Sequence, residues 1–160
     1  MFAQVHQLQS RQILPISLEE CWDFFSNPMN LPEITPPWLH FDVSEVEFER
    51  IRPGAVFQYT VRPLLGVPLS WVTEITHVVP AELFVDEQRF GPYRFWHHQH
   101  HFTPVRDGIE VLDIVHYALP LGPIGRIVHA LSVKRKLDAI FAYRRDVLER
   151  RFGSKRAATR

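Results

Sequence analysis

The chain has 160 residues, with 18 Lys and Arg against 18 Asp and Glu, one Cys, 13 Pro and nine His, and 46% of it is hydrophobic. A domain of about 150 residues buries roughly 68–70% of its unfolded surface, so a full core forms without the disulfides or structural metals that small scaffolds need, and the 12% aromatic content excludes a disordered composition. No apolar run approaches the roughly 18 residues of a membrane span, a lone Cys cannot bridge internally, and residues 1–10 lack the basic start and apolar centre of a secretory signal, so a cytoplasmic location is expected. The balanced charge hides an asymmetry: residues 1–121 carry 7 basic and 15 acidic side chains, residues 122–160 carry 11 and 3. Such a split can mark a surface for nucleic acid or anionic membrane, or simply one solvated helix face on an acidic body.

In chain order, Phe2–Leu14 reads as a strand. Ser17 with Glu20 three residues on is a capping box, and Leu18, Cys21, Trp22 and Phe25 follow at helical spacing, so a short helix starts at Leu18. Asn27-Pro28 ends it, because the residue before Pro is pushed out of the helical region. Pro32, Pro36 and Pro37 leave room for no more than a second short helix before residue 40.

From His40 to Pro120 the period changes to two. Strands are expected over 41–50, 55–62, 67–79, 82–90, 93–105 and 109–119, separated by Pro53-Gly54, Gly66, Pro80, Gly91-Pro92 and Asp107-Gly108. Six strands with short turns make an antiparallel meander. Val67, Leu69, Trp71, Thr73, Ile75, His77 and Val79 form the clearest alternation. The switch of apolar parity from Phe41 and Val43 to Val46 and Phe48 predicts a bulge near Ser44-Glu45. The Gly/Pro segment 120–125 then opens a long helix to about Phe152, with Ile127, Val128, Leu131, Leu137, Ile140, Phe141 and Leu148 as its apolar stripe. One domain over 1–152 and a basic, frayed tail over 153–160 are expected.

A strand, two short helices, a six-stranded meander and a long C-terminal helix resemble the helix-grip fold of the SRPBCC superfamily, which includes START-like lipid-binding domains. The resemblance to its bacterial polyketide cyclase/dehydrase-like branch rests on Phe25-Ser26-Asn27-Pro28, Ile34-Thr35-Pro36-Pro37-Trp38-Leu39, Phe84-Val85-Asp86-Glu87-Gln88, Gly91-Pro92-Tyr93, Trp96-His97-His98-Gln99-His100, Tyr117-Ala118-Leu119-Pro120 and Phe141-Ala142-Tyr143-Arg144-Arg145. That resemblance implies an α+β domain whose seven-stranded sheet wraps the C-terminal helix around an apolar cavity. Hydrophobic patterning reaches a similar picture, because a curved sheet with one apolar face and one amphipathic helix leave a gap between two layers. Residues 63–68 and 119–124 are the expected gate loops.

Four of the nine His fall within five residues. On a strand, His98 and His100 share a face with Trp96 and Phe102, while His97 and His101 share the other with Tyr93 and Phe95. A type I′ turn at Asp107-Gly108 pairs Arg106 with Ile109 and places Phe102 opposite Asp113, His100 opposite Val115, His98 opposite Tyr117 and Trp96 opposite Leu119. Asp113 then lies diagonally from His100 on an otherwise apolar face, where a carboxylate needs a partner. Two readings fit. In one, neutral His98 or His100 removes a proton, Asp113 orients the imidazole and Tyr117 donates to a developing enolate. In the other, the same residues form a satisfied polar network without catalysis. His98-X-His100 also has metal-ligand spacing, with Asp113 or His116 as a third donor, but His116 faces away and no metal is assigned. Cys21 lies on an apolar stripe and reads as a core residue.

The expected function is binding of a small hydrophobic ligand, such as a lipid, an isoprenoid quinone or a polyketide-like aromatic, by a carrier or sensor. Trp71, Trp96, Phe102, Val115, Leu137 and Phe141 would contact it. The alternative is a cofactor-independent cyclase or dehydratase using the His/Asp set. No cofactor is expected. No helix-turn-helix or phosphate-binding loop appears, so nucleic acid is not an expected partner; the C-terminal basic face could touch anionic membrane or an acidic partner.

Overall fold

The computed structural model describes residues 4–45, 50–62, 67–120 and 132–153. Strand β1 (His6–Leu14) leads into helix α1 (Leu18–Phe25), then two 3₁₀ turns at Pro28–Asn30 and Pro37–Leu39. Strands β2 (Asp42–Glu45), β3 (Val56–Val61), β4 (Leu69–Val79), β5 (Leu83–Phe90), β6 (Phe95–Val105) and β7 (Gly108–Ala118) follow, and helix α2 (Lys134–Phe152) comes last. The sheet is seven-stranded and antiparallel in the order β1-β7-β6-β5-β4-β3-β2, so β1 and β2 are its two edges.

Local chemistry sets the element ends. Ser17 Oγ accepts from the Glu20 amide at 3.1 Å and caps α1, and the Asn27 side chain accepts from the Met29 amide at 2.9 Å, starting the first 3₁₀ turn on Pro28. The prolines allow only these single turns where a second short helix was expected. The bulge predicted near Ser44-Glu45 appears as a register shift between Val43 and Glu45. Residues 46–49 of the strand expected to residue 50, the gate-loop residues 63–66 and 121–124, the helix expected from residue 126 to 131, and the tail after Gly153 lie outside the described residues.

Two expectations about register are corrected. The β6–β7 hairpin pairs Val105 with Gly108 around Arg106-Asp107, one residue before the turn expected at Asp107-Gly108, which moves each cross-strand partner by two. Arg106 and Asp107 both keep negative φ, so no type I′ turn forms, and the positive φ falls on Gly108 at +138°. The reason lies in β1: a Cβ at residue 108 would fall on the Leu14 carbonyl, so only glycine lets the two backbones approach there. A shift of two keeps every side chain on its expected face but changes the cross-strand partners. In β4, a register shift between Ile75 and His77 breaks the alternation, turning His77 and Val79 outward and packing Val78 on the core.

The core falls into two clusters on the inner face of the sheet. One joins Cys21, Phe24 and Phe25 of α1 to Phe57, Phe84, Phe102 and the distal end of α2; the other joins Trp96, Val115 and Tyr117 to Leu137 and Phe141. Burial pushes the Cys21 thiol up to about 12, so it packs as an inert core residue. Among the described residues no helix is long and apolar enough to cross a membrane.

Candidate functional site

Between sheet and α2 lies a cavity of about 510 Å³, within the usual size of small-molecule pockets. Its walls are mainly apolar and come from residues 24–41, from β3 and β4, and from Leu137, Ile140 and Phe141 of α2. Trp71 and Trp96 meet edge to face, 5.1 Å between ring centroids, and Tyr93 packs against both. Tyr93 therefore belongs to the inner side, contrary to the face expected for it, because β6 starts only at Phe95.

A polar cluster interrupts this surface at one place. On β6 the inward positions Trp96, His98, His100 and Phe102 are all buried. His98 stands between Asp86 of β5 and Val115 of β7, and His100 between Phe84 and Asp113. Each carboxylate thus faces one imidazole directly and the other diagonally. His98 Nε2 donates to Asp113 Oδ1 at 2.9 Å and His100 Nε2 donates to Asp86 Oδ2 at 2.8 Å. His98 Nδ1 lies 3.4 Å from the same Asp86 oxygen. His100 Nδ1 is 2.9 Å from Asp113 Oδ1 but is not aligned for a hydrogen bond. The two imidazoles lie with centroids 3.7 Å apart, and Phe84 stacks on His100 at 4.0 Å. From α2, Arg144 Nη1 donates to Asp113 Oδ1 at 3.2 Å, while its Nε is buried without a partner.

Burial alone would raise the Asp113 carboxyl, but the Arg144 charge and the two histidines hold it well below the usual range. Asp86 follows the same pattern: burial raises it, and the positive field of His98, His100 and Arg144 brings it down. Burial lowers His98, and the His100 charge lowers it further. Burial also opposes the charged form of His100, yet its contacts with Asp113 and Asp86 outweigh that and raise it. Two carboxylates, two imidazoles and one guanidinium thus titrate as one coupled cluster, with the charged forms of Asp113, Asp86 and His100 favoured and that of His98 disfavoured. Such a cluster can accept or donate hydrogen bonds, or move a proton, at one end of an apolar space. Among the described residues, Asp86, His98 and His100 are also the group whose potential metal-binding atoms lie within 4.8 Å of one another.

The structure brings His98, His100 and Asp113 together, with His100 directly opposite Asp113 after the two-residue correction. Asp113 lies beneath the two imidazoles and does not itself line the cavity. Tyr117, expected to join them, pairs with Trp96, is buried against His6, Tyr93 and Trp96, and is not a lining residue. Of the expected ligand contacts, Trp71, Trp96, Leu137 and Phe141 line the cavity. Phe102 and Val115 do not: Phe102 is enclosed by Trp22, Phe25 and Phe84, and Val115, with no exposed surface, lies opposite His98. His97 and His101 lie on the other face in a chain of contacts through Gln99, with His97 also meeting Glu87 at 2.9 Å.

Two site residues escaped the sequence reading. Asp86 was legible by parity, being two residues from Phe84 on a strand, but no turn signal fixed which carboxylate faced the histidines. Arg144 was legible on the helix, since Leu137, Phe141, Arg144 and Leu148 follow at i, i+4, i+7 and i+11.

A curved seven-stranded sheet, a long C-terminal helix and a cavity between them define a helix-grip, Bet v 1-like architecture. Solved structures agree at the level of fold. A Chromobacterium violaceum protein, CV1439, superposes with a TM-score of 0.68 at 15% identity, over 94% of this chain and 99% of that one. The Thermus thermophilus protein TTHA0849 gives 0.65 at 16% identity, over 92% and 97%. Ara h 8.0201 gives 0.60 at 16% identity, over 91% and 98%. No protein-family model matches the chain, and no curated protein matches it in sequence.

Proposed function

We propose that the protein is a cytoplasmic carrier or sensor for a small, largely apolar molecule with one polar end, such as a lipid, an isoprenoid quinone or a polyketide-like aromatic. The observation that carries this reading is a 510 Å³ apolar cavity with Asp86, His98, His100 and Arg144 at its polar floor. The apolar body would lie against Trp71, Trp96 and Phe141, and its polar end would reach Arg144 and the imidazoles. The basic face of α2 supports membrane delivery less than it supports internal balance, since Arg151 pairs with Glu33, Lys134 with Asp138 and Arg144 with Asp113.

Native mass spectrometry of protein purified without denaturation tests the reading, together with displacement of a fluorescent naphthalene sulfonate from the cavity. A co-purifying apolar mass, or probe displacement weakened in Trp71→Ala and unchanged in His101→Ala, is the expected result. A bare protein that also fails to take up the probe would overturn it. A second reading, a cyclase- or dehydratase-type enzyme, has one observation in its favour: His98, whose charged form burial disfavours, is held by Asp113 at the cavity floor. It requires turnover of a polyketide-like aromatic that disappears in His98→Gln.

A further inference from the structure

We infer that Asp86, His98 and His100 form a site for a divalent transition metal of the zinc or ferrous type, with Asp113, hydrogen-bonded to His98 and close to His100, as the positioning residue. The inference stands on the cluster alone and does not rest on the apolar-ligand reading.

Both rings turn one nitrogen toward the same oxygen. His100 Nε2 and His98 Nδ1 lie 2.8 and 3.4 Å from Asp86 Oδ2. Metal–ligand bonds of about 2.0–2.2 Å place neighbouring donors roughly 2.9–3.5 Å apart in tetrahedral or octahedral shells. Each imidazole nitrogen therefore stands near coordination spacing from the Asp86 oxygen, and the three donors all lie within 4.8 Å of one another. The opposite nitrogens of both rings, His98 Nε2 and His100 Nδ1, each lie 2.9 Å from Asp113 Oδ1. A carboxylate behind a ligating histidine is the arrangement that fixes its tautomer and orientation at a metal. Arg144 in turn holds Asp113 from the helix at 3.2 Å.

Asp86, His98 and His100 line the cavity whereas Asp113 does not, so the remaining coordination positions open toward the cavity. Two neutral imidazoles and one carboxylate leave a net positive centre, suited to an oxygen donor such as a carboxylate, phenolate or enolate.

Chelator-stripped protein titrated with Zn²⁺ by calorimetry, with Co²⁺ as a spectroscopic substitute, tests the site. One ion per chain is expected, with stoichiometric binding lost in Asp86→Asn, His98→Gln and His100→Gln. Asp113→Asn should weaken affinity by about 10–100-fold, the usual effect of removing such a supporting carboxylate. His97→Ala and His101→Ala, on the opposite face, should leave binding unchanged. X-ray absorption on the zinc-loaded parent should show two imidazole ligands, a readout that needs no variant to fold. Absence of stoichiometric binding, an absorption spectrum without two imidazoles, or binding lost only in the opposite-face variants would each overturn the inference. Probe displacement by the apolar ligand is read separately, so either proposal can fail without the other.

Discussion

Replacing Arg144 by Leu keeps an apolar stem against Phe141, over whose ring the guanidinium carbon sits at 5.2 Å, while removing the one cation that α2 extends to Asp113. Both partners are buried, Asp113 at 4% and Arg144 at 8% exposure. Truncating one side of a buried pair leaves an uncompensated charge and typically costs about 3–5 kcal/mol. In a domain of this size each kcal/mol shifts the thermal midpoint by roughly 2–4 °C, so a drop of about 6–20 °C is expected. Urea unfolding of chelator-stripped protein at pH 7, followed by tryptophan fluorescence, should show a lower midpoint at an unchanged slope. Acid sensitivity should change as well. The depressed Asp113 carboxyl contributes stability that is present above its unfolded pKa and is lost as pH falls through its lower folded value. Without Arg144 that folded value rises, and acid unfolding should begin at higher pH. Adding Asp113→Asn to Arg144→Leu should recover part of the loss, giving a coupling of about 0.5–3 kcal/mol in the double-mutant cycle. A loss within about 0.5 kcal/mol, or strictly additive single variants, would refute the reasoning, because surface-like pairs behave that way.

The remaining expectations concern the imidazoles, the hairpin and the cavity wall. In chelator-stripped protein His100, whose folded pKa is raised, contributes stability that is fully present below the unfolded value of about 6.5 and fades as pH rises through the folded one. His98, depressed in the fold, contributes stability above about 6.5 that fades as pH falls through its folded value. Urea midpoints across pH 5–9 should therefore lose their alkaline decline in His100→Gln and their acid decline in His98→Gln, and identical profiles for the two variants would contradict the assignment. Gly108→Ala should destabilise far more than Gly54→Ala: both have positive φ, but only residue 108 meets the Leu14 backbone. Thermal denaturation of the pair measures this. Phe141→Ala should cost about 3–5 kcal/mol and weaken probe retention together, since the ring is 5% exposed and lines the cavity; loss of stability with intact retention would remove it from the ligand wall.

Much of the architecture was legible because the signals were local. Ser17 with Glu20, Asn27-Pro28 and the period-two run from residue 41 each specify an element through contacts within a few residues. Facing was legible too, since parity put His98, His100 and Asp113 on the inner side before any register was known. The register itself was not, because the hairpin is decided by Leu14 passing over Gly108, a contact between residues far apart in the chain. For the same reason Asp86 and Arg144 escaped. Each is an ordinary charged residue in its own element and acquires its role only when β5 and α2 are laid against β6 and β7.

The two faces of the cavity rest on different kinds of backbone. Its polar floor stands on adjacent rungs of β5, β6 and β7, where moving one side chain means slipping a ladder. Much of its apolar wall comes from residues 24–41, within the 15–41 connection that leaves β1 at one edge of the sheet and reaches β2 at the other. With strands about 4.8 Å apart, the sheet it crosses measures six gaps, on the order of 29 Å along its curve. The connection is held by α1, short turns and prolines and carries no strand of its own before Asp42. Bulk can therefore be added or removed along this crossing while the carboxylates and imidazoles stay in place, so the size of an accepted molecule and the chemistry that meets its polar end can be redesigned independently.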